Sequence, residues 1–196
     1  MQSGFFNCMR RGERSEEEGC AGDTDDVLEE VEMRRRLVQA QAPLCFNARP
    51  AAGGAFVAEV LLRNQPAFNR SRLYITNSWF GDDQGEELAA ALAQNTWLKE
   101  LRLSRCRIGQ RGFKSIAEAL KINKTLTTLK LDNIVMGLPC AEIMADMLVS
   151  NSSLELLSLT RCSVGDLGAR AVAKALEINT SIRQLEIFDD AILDAG

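Results

Sequence analysis

The chain has 196 residues, 46% of them hydrophobic, and a net charge of −4, which suits one domain with a sizeable core plus a tail. That mild acidity offers no electrostatic footprint for nucleic acid or an anionic membrane, and no apolar run approaches the ~18 residues of a membrane span. Histidine is absent, which removes the commonest general base and the commonest zinc ligand together.

In chain order, residues 1–24 are polar, charged and short of aliphatic side chains, so a disordered tail is expected. The same stretch lacks the long apolar core of a signal peptide. The six cysteines, at 8, 20, 45, 106, 140 and 162, form no Cys-x-x-Cys. They are expected to stay reduced, and the chain to be cytoplasmic. "DDVLEEVEMRRRLVQAQAP" reads as a helix over Asp26–Gln41 that Pro43 stops. Acids at its start and arginines later favour the macrodipole. Its Glu30–Arg34 and Glu32–Arg36 pairs contribute only ~0.2–0.5 kcal/mol each. A second helix, near Gly54 to Arg63, is expected to pack on Leu73 and Ile75 and close off the first strand. Residues 25–69 thus read as a helical N-terminal segment and cap.

From Arg70 onward the chain repeats every 28 residues, with units beginning at Arg70, Leu98, Leu126, Leu154 and Ile182. "LKELRLSRCRIGQRGFKSIAEALKINKT" and "LELLSLTRCSVGDLGARAVAKALEINTS" show the unit. Four units are complete and the fifth is truncated, over 70–196. Leu73, Leu101, Leu129, Leu157 and Leu185 share one column, and Ile75, Leu103, Leu131, Leu159 and Ile187 another. Gly81, Gly109, Gly137 and Gly165 fall together, as do Ala89, Ala117, Ala145 and Ala173. Leu92, Leu120, Leu148 and Leu176 form a further column. Leu101-x-Leu103 alternates as a strand does, and Phe113, Ile116, Ala117 and Leu120 mark one face of a helix. Asn95, Asn123, Asn151 and Asn179 close each helix. Asparagine tolerates the left-handed backbone expected there. Asn123-Lys124-Thr125 matches a glycosylation acceptor, but a sugar site has no reason to recur at a fixed period. Helix punctuation is expected, with Thr125 completing the acceptor pattern by coincidence.

The columns Leu-x-x-Leu-x-Leu-x-x-Cys/Asn-x-Ile-Gly and Gly-x-x-x-hydrophobic-Ala-x-x-Leu-x-x-Asn resemble the ribonuclease-inhibitor-like class of leucine-rich repeats. The resemblance covers residues 70–196. It implies an α/β horseshoe, a right-handed β-α superhelix with parallel strands on the concave face and helices on the convex face. The type position departs from Cys or Asn at Ser78, Ile134 and Asp190. The third unit departs through Pro139-Cys140 and its methionines, and is expected to be distorted. Because each unit needs a neighbour to bury its apolar stripe, the stop inside the fifth leaves a strand edge uncovered. The chain is therefore expected to be a fragment of a longer array, or to self-associate or dock through that C-terminal end.

Reactive constellations are wanting. Gly109-x-x-Gly112 and Gly165-x-x-Gly168 lack the Gly-Lys-Ser/Thr of a phosphate loop and read as turns. Asp82-Asp83 and Asp189-Asp190 are expected to be solvated loop acids. Cys106 and Cys162 lie two units apart, about 10 Å by strand spacing, beyond disulfide reach. No catalytic residue, cofactor or metal is assigned, and the chain is not read as an enzyme. The residues between the leucines point away from the core. Tyr74, Arg102, Arg105, Lys130, Arg161, Glu186 and Phe188 are the candidate partner-binding residues, basic in the middle and acidic at the far end. The expected function is a non-catalytic module, a scaffold that holds a protein or peptide of unknown identity on its concave face, with no nucleic acid or membrane. Two alternatives follow from the resemblance: a regulator of a small GTPase similar to Ran GTPase-activating proteins, or the sensing fragment of a nucleotide-dependent immune receptor.

Overall fold

The computed structural model describes residues 44–46, 57–58, 61–62, 71–76 and 80–188. The expected tail over 1–24, the helix over Asp26–Gln41, and Asp189 with Asp190 lie outside the described residues.

Strands and helices alternate: β1 (Leu44–Phe46), β2 (Arg72–Thr76), α1 (Asp82–Gln94), β3 (Glu100–Ser104), α2 (Gln110–Ile122), β4 (Thr128–Asp132), α3 (Gly137–Ser150), β5 (Leu156–Ser158), α4 (Gly165–Leu176) and β6 (Gln184–Glu186). The strands form one sheet in chain order, and every neighbouring pair is parallel. Leu73 pairs with Leu101, Leu101 with Leu129, Leu129 with Leu157 and Leu157 with Leu185, so each lateral step is one 28-residue repeat.

The core lies between the sheet and the helices. Leu73, Ile75, Leu101, Leu103, Leu129 and Leu131 are buried, while the residues between them stay partly exposed. From the helices come Leu88, Leu92, Phe113, Ile116, Leu120, Met144, Met147 and Leu148. A fully buried leucine contributes about 1.5–3 kcal/mol, so stacked columns of them hold the layers together. The third unit keeps its helix, with Pro139 in the first turn, where a missing amide hydrogen is harmless. The alanine column is buried at Ala89, Ala117 and Ala145 but exposed at Ala173. Among the described residues no further helix packs beyond α4.

β1 is an element the periodicity does not suggest, because its unit is out of register. Leu44 pairs with Leu73 across a step of 29 residues, not 28. Val57 and Leu61 are helical and buried in the same core as Leu73 and Ile75, as expected of the Gly54–Arg63 segment. They precede Leu88 and Leu92 by 31 residues. The unit is therefore shorter before its helix and longer after it, which hides it from a fixed period.

Where each helix ends, the asparagine side chain stitches two repeats. Asn123 Nδ2 donates to the carbonyls of Leu92 (2.7 Å) and Asn95 (3.0 Å) in the preceding repeat. Its Oδ1 accepts from the amides of Thr125 (2.9 Å) and Leu126 (2.8 Å). Asn151 donates to Leu120 O at 2.6 Å and Asn179 to Leu148 O at 2.7 Å, each with the same pair of accepted amides. Asn95 reaches Leu61 O at 2.9 Å, which ties the irregular unit to the regular ones.

Two expectations are corrected here. The backbone at Asn95, Asn123 and Asn151 is extended, with φ between −80° and −64°, not left-handed. These helices end because the side chain takes over the turn and the preceding carbonyls, an Asx-type arrangement. Nor is the hydroxyl two residues on a coincidence. Thr125 Oγ1 donates to Asn95 O at 3.1 Å, Ser153 Oγ to Asn123 O at 3.1 Å and Ser181 Oγ to Asn151 O at 3.4 Å. The Asn-x-Ser/Thr pattern is the seam itself. Trp97 stands where the first seam lacks a hydroxyl, and its indole Nε1 donates to Leu61 O at 3.3 Å.

The helix starts are built less uniformly. Gly81 and Gly109 are extended caps, whereas Gly137 and Gly165 are left-handed at φ +62° and +65°. Asp82 and Asp83 begin α1 and do not lie in a loop, although Asp83 is exposed as expected. Asp82 Oδ1 accepts from the amides of Gly109 (2.7 Å) and Gly112 (2.9 Å), and so caps α2 from the preceding repeat. Asp83 pairs with Arg111, whose Nε also meets Glu86 at 3.0 Å. Gly112 is needed for close packing: a Cβ there would lie 2.8 Å from both Asp82 Oδ1 and Ile108 Cγ2. Cys106 and Cys162 are buried, as is Cys140, and none of the three forms a disulfide. Their Sγ atoms donate to Ile75 O (3.8 Å) and Leu131 O (3.0 Å) of the preceding repeats.

Candidate interaction face

Alternation along each strand puts one set of side chains on the sheet face opposite the helices. Register then lines them up in rows. Tyr74, Arg102, Lys130, Ser158 and Glu186 are successive partners across β2 to β6. Arg72, Glu100, Thr128, Leu156 and Gln184 form the row beside it.

Tyr74 and Arg102 make the best-defined contact. The guanidinium carbon lies 5.0 Å from the ring centroid, a cation–π distance. The Tyr74 hydroxyl donates to Glu100 Oε1 at 3.0 Å, and Glu100 Oε2 also meets Arg72 Nε at 3.2 Å. Burial raises the Tyr74 phenol above its ordinary pKa, and the bond to Glu100 adds to this. Arg102 faces Asp132 on the next strand, with Nε 4.0 Å from Oδ2, too far for a hydrogen bond. That Nε is itself buried with no hydrogen-bond partner. Asp132 is raised as well, mainly by burial, although Arg102 and Lys130 oppose the shift.

Lys130 reaches over β5 to Glu186 on β6, Nζ to Oε2 3.5 Å. Ser158, the residue between them in the row, is small and buried, which leaves the lysine room to cross. Basic and acidic groups are therefore interleaved on the described part of the face. The expected division into a basic middle and an acidic end is blurred by this pair.

Arg105, Asn133 and Arg161 follow the strands at one repeat position, and all three are exposed and left-handed at φ 54–57°. Each amide donates to the repeat after it: Arg105 to Asp132 O, Asn133 to Thr160 O and Arg161 to Phe188 O, at 2.8–2.9 Å. Phe188 is 62% exposed. Of the seven candidate residues, the structure thus brings together Tyr74 with Arg102, Lys130 with Glu186, and Arg161 with Phe188 along the backbone. Arg105 joins none of these pairs and lies in the loop just after β3, three residues beyond Arg102. Sequence reasoning missed Arg107, which is exposed in the loop after β3. It also missed the pairing roles of Glu100 and Asp132, although both stand in the columns that register aligns.

Among the described residues no cluster of Cys, Asp or Glu could hold a metal ion, and no helix is long and apolar enough to cross a membrane. Residues 94–117 and 150–173 match the Leucine Rich repeat family model. Those two stretches are thus similar to leucine-rich repeats. Both matches begin beside an asparagine of the seam and run through a strand into its helix. A structure described as "Leiomodin-1 Actin-Binding Site 2 (ABS2)" is similar to this chain at 24% identity and TM-score 0.55, over 66% of this chain and 76% of that one. A tropomodulin C-terminal domain from Caenorhabditis elegans is 15% identical over 76% of this chain and 92% of that one, with TM-score 0.49. The first likeness is one of fold. Comparison with curated proteins finds no match.

Proposed function

We propose that the chain is a non-catalytic protein-interaction module, a ribonuclease-inhibitor-like horseshoe whose sheet is the concave face and holds a protein or peptide partner. The observation that carries this reading is the row Tyr74–Arg102–Lys130–Ser158–Glu186. It presents aromatic and charged groups, held by one another, on the sheet face that no described helix covers. Tyr and Arg in a partly desolvated, pre-arranged setting are the residue types that dominate interface energies. That Cys106, Cys140 and Cys162 form no disulfide supports the cytoplasmic setting that belongs to this proposal.

The test compares two faces of one molecule. Immobilised wild type, a sheet-face variant (Arg102→Glu with Lys130→Glu) and a helix-face variant (Lys174→Glu) are offered the same lysate. Loss of a partner from the sheet-face variant alone is expected. Equal recovery by all three would move binding off the sheet. Actin is the first purified protein to assay by co-sedimentation, because the leiomodin-1 domain is described as an actin-binding site. GTP-loaded small GTPases form the second arm, in which unchanged hydrolysis is expected.

A further inference from the structure

We infer that the partner segment seated on this face is acidic, and that its carboxylates are taken by Arg102, Arg105 and Arg107, with Arg102 as the anchor. The inference rests on the sheet-face reading above and names the chemistry of its occupant. Each acid on the described face already has a cation beside it: Glu100 has Arg72, Asp132 has Arg102 and Glu186 has Lys130. Arg105 and Arg107, on either side of buried Cys106 in the loop after β3, are exposed and make no ion pair among the described residues. The local surplus is therefore positive, although the whole chain carries −4.

Arg102 supplies the geometry. Its guanidinium carbon lies 5.0 Å from the Tyr74 ring centroid, its Nε is buried without a hydrogen bond, and Asp132 stays at 4.0 Å. Asp132 offsets the charge without occupying the fork of donors. A planar, pre-positioned guanidinium with open donors matches a carboxylate in the two-bonded manner that lysine cannot reproduce. The Arg105 backbone is set by its left-handed φ and by the hydrogen bond from its amide to Asp132 O, which fixes where the second side chain leaves the loop. An extended segment crossing β3 toward its loop would meet Arg102 first and the loop arginines next.

The test uses the full chain and fluorescence anisotropy at low salt. The probes are a fluorescein-labelled peptide of alternating glutamate and glycine, its lysine counterpart and a single-stranded oligonucleotide of similar length. The glutamate peptide is expected to bind and the lysine peptide not to, with affinity falling as salt rises. Reversing all three arginines (R102E/R105E/R107E) should weaken binding by about a hundredfold, since three attractive charges become repulsive ones. Arg102→Lys should weaken it about tenfold, because charge is kept and the fork is lost. Lys174→Glu on α4 should leave it unchanged, and circular-dichroism melts establish that the variants fold. Preference for the lysine peptide, failure of the glutamate peptide, or equal binding by the triple variant would overturn the inference. So would tighter binding of the oligonucleotide, or self-association lost in the same variant, which would assign the face to nucleic acid or to a second copy. If a lysate partner is still lost from the sheet-face variant while the glutamate peptide fails, the face binds and only its acid preference is wrong.

Discussion

Each helix of this molecule is held differently at its two ends. Where it stops, an asparagine does the same work in each of the four described repeats, at the cap of α1, α2 and α3 and three residues past α4. Both sides of its amide are used, and a hydroxyl or indole completes the set. Where it starts, each repeat improvises. An extended glycine with a carboxylate from the preceding unit serves α2, and left-handed glycines open α3 and α4. The contrast follows from geometry. A helix end leaves unpaired carbonyls at nearly the same place in each repeat, so one residue type answers them all. At the start, amides are satisfied by whatever the preceding loop offers, and those loops differ in sequence.

The comparison breaks most sharply at Asn123. Asn123→Ala leaves the amides of Thr125 and Leu126 without their acceptor and takes one donor each from Leu92 O and Asn95 O in a buried seam. A loss of about 3–5 kcal/mol is expected from several such groups, read as a lowered urea midpoint. A loss under about 1 kcal/mol would mean that water or the backbone can replace the stitch. At the helix start, Asp82→Ala removes the cap of α2 and should cost about 2 kcal/mol in the same measurement. If it matched Asn123→Ala, the two ends would be equally dependent on one side chain. The smallest effect is expected for Gly112→Ala. A new methyl 2.8 Å from Asp82 Oδ1 and Ile108 Cγ2 must displace both. The better helix propensity of alanine offsets part of that overpacking, for a net loss of about 1 kcal/mol.

What was legible in the sequence was whatever repeats at a fixed distance. The leucine columns gave the parallel register, and the switch from alternation to helical spacing gave the β-α order. The asparagine column marked the helix ends, although its extended backbone and its reach into the preceding repeat did not show. A column identifies a position; it does not say which neighbour that position bonds. The same limit hid Asp82, because its carboxylate serves amides 27 and 30 residues later. β1 was hidden by its uneven spacing, even though Leu61-x-x-Asn64 carries the helix-end signature of Leu92-x-x-Asn95. On the candidate face, Tyr74 and Arg102 could be placed in one row from sequence. Their stacking, the crossing of Lys130 over Ser158 and the open fork of Arg102 needed coordinates. Arg107 went unnoticed because it lies past the strand, outside the alternation that selected the others.

The left-handed residues that follow β3, β4 and the fifth strand have a bearing on how such a surface could be altered. Arg105, Asn133 and Arg161 each anchor their amide on a carbonyl one unit further along, so the backbone that carries a surface side chain is underwritten by its successor. Swapping these side chains leaves that tether in place, which makes them natural sites for retuning selectivity. Deleting a unit is another matter, for it would unmoor the residue displayed by the unit before it.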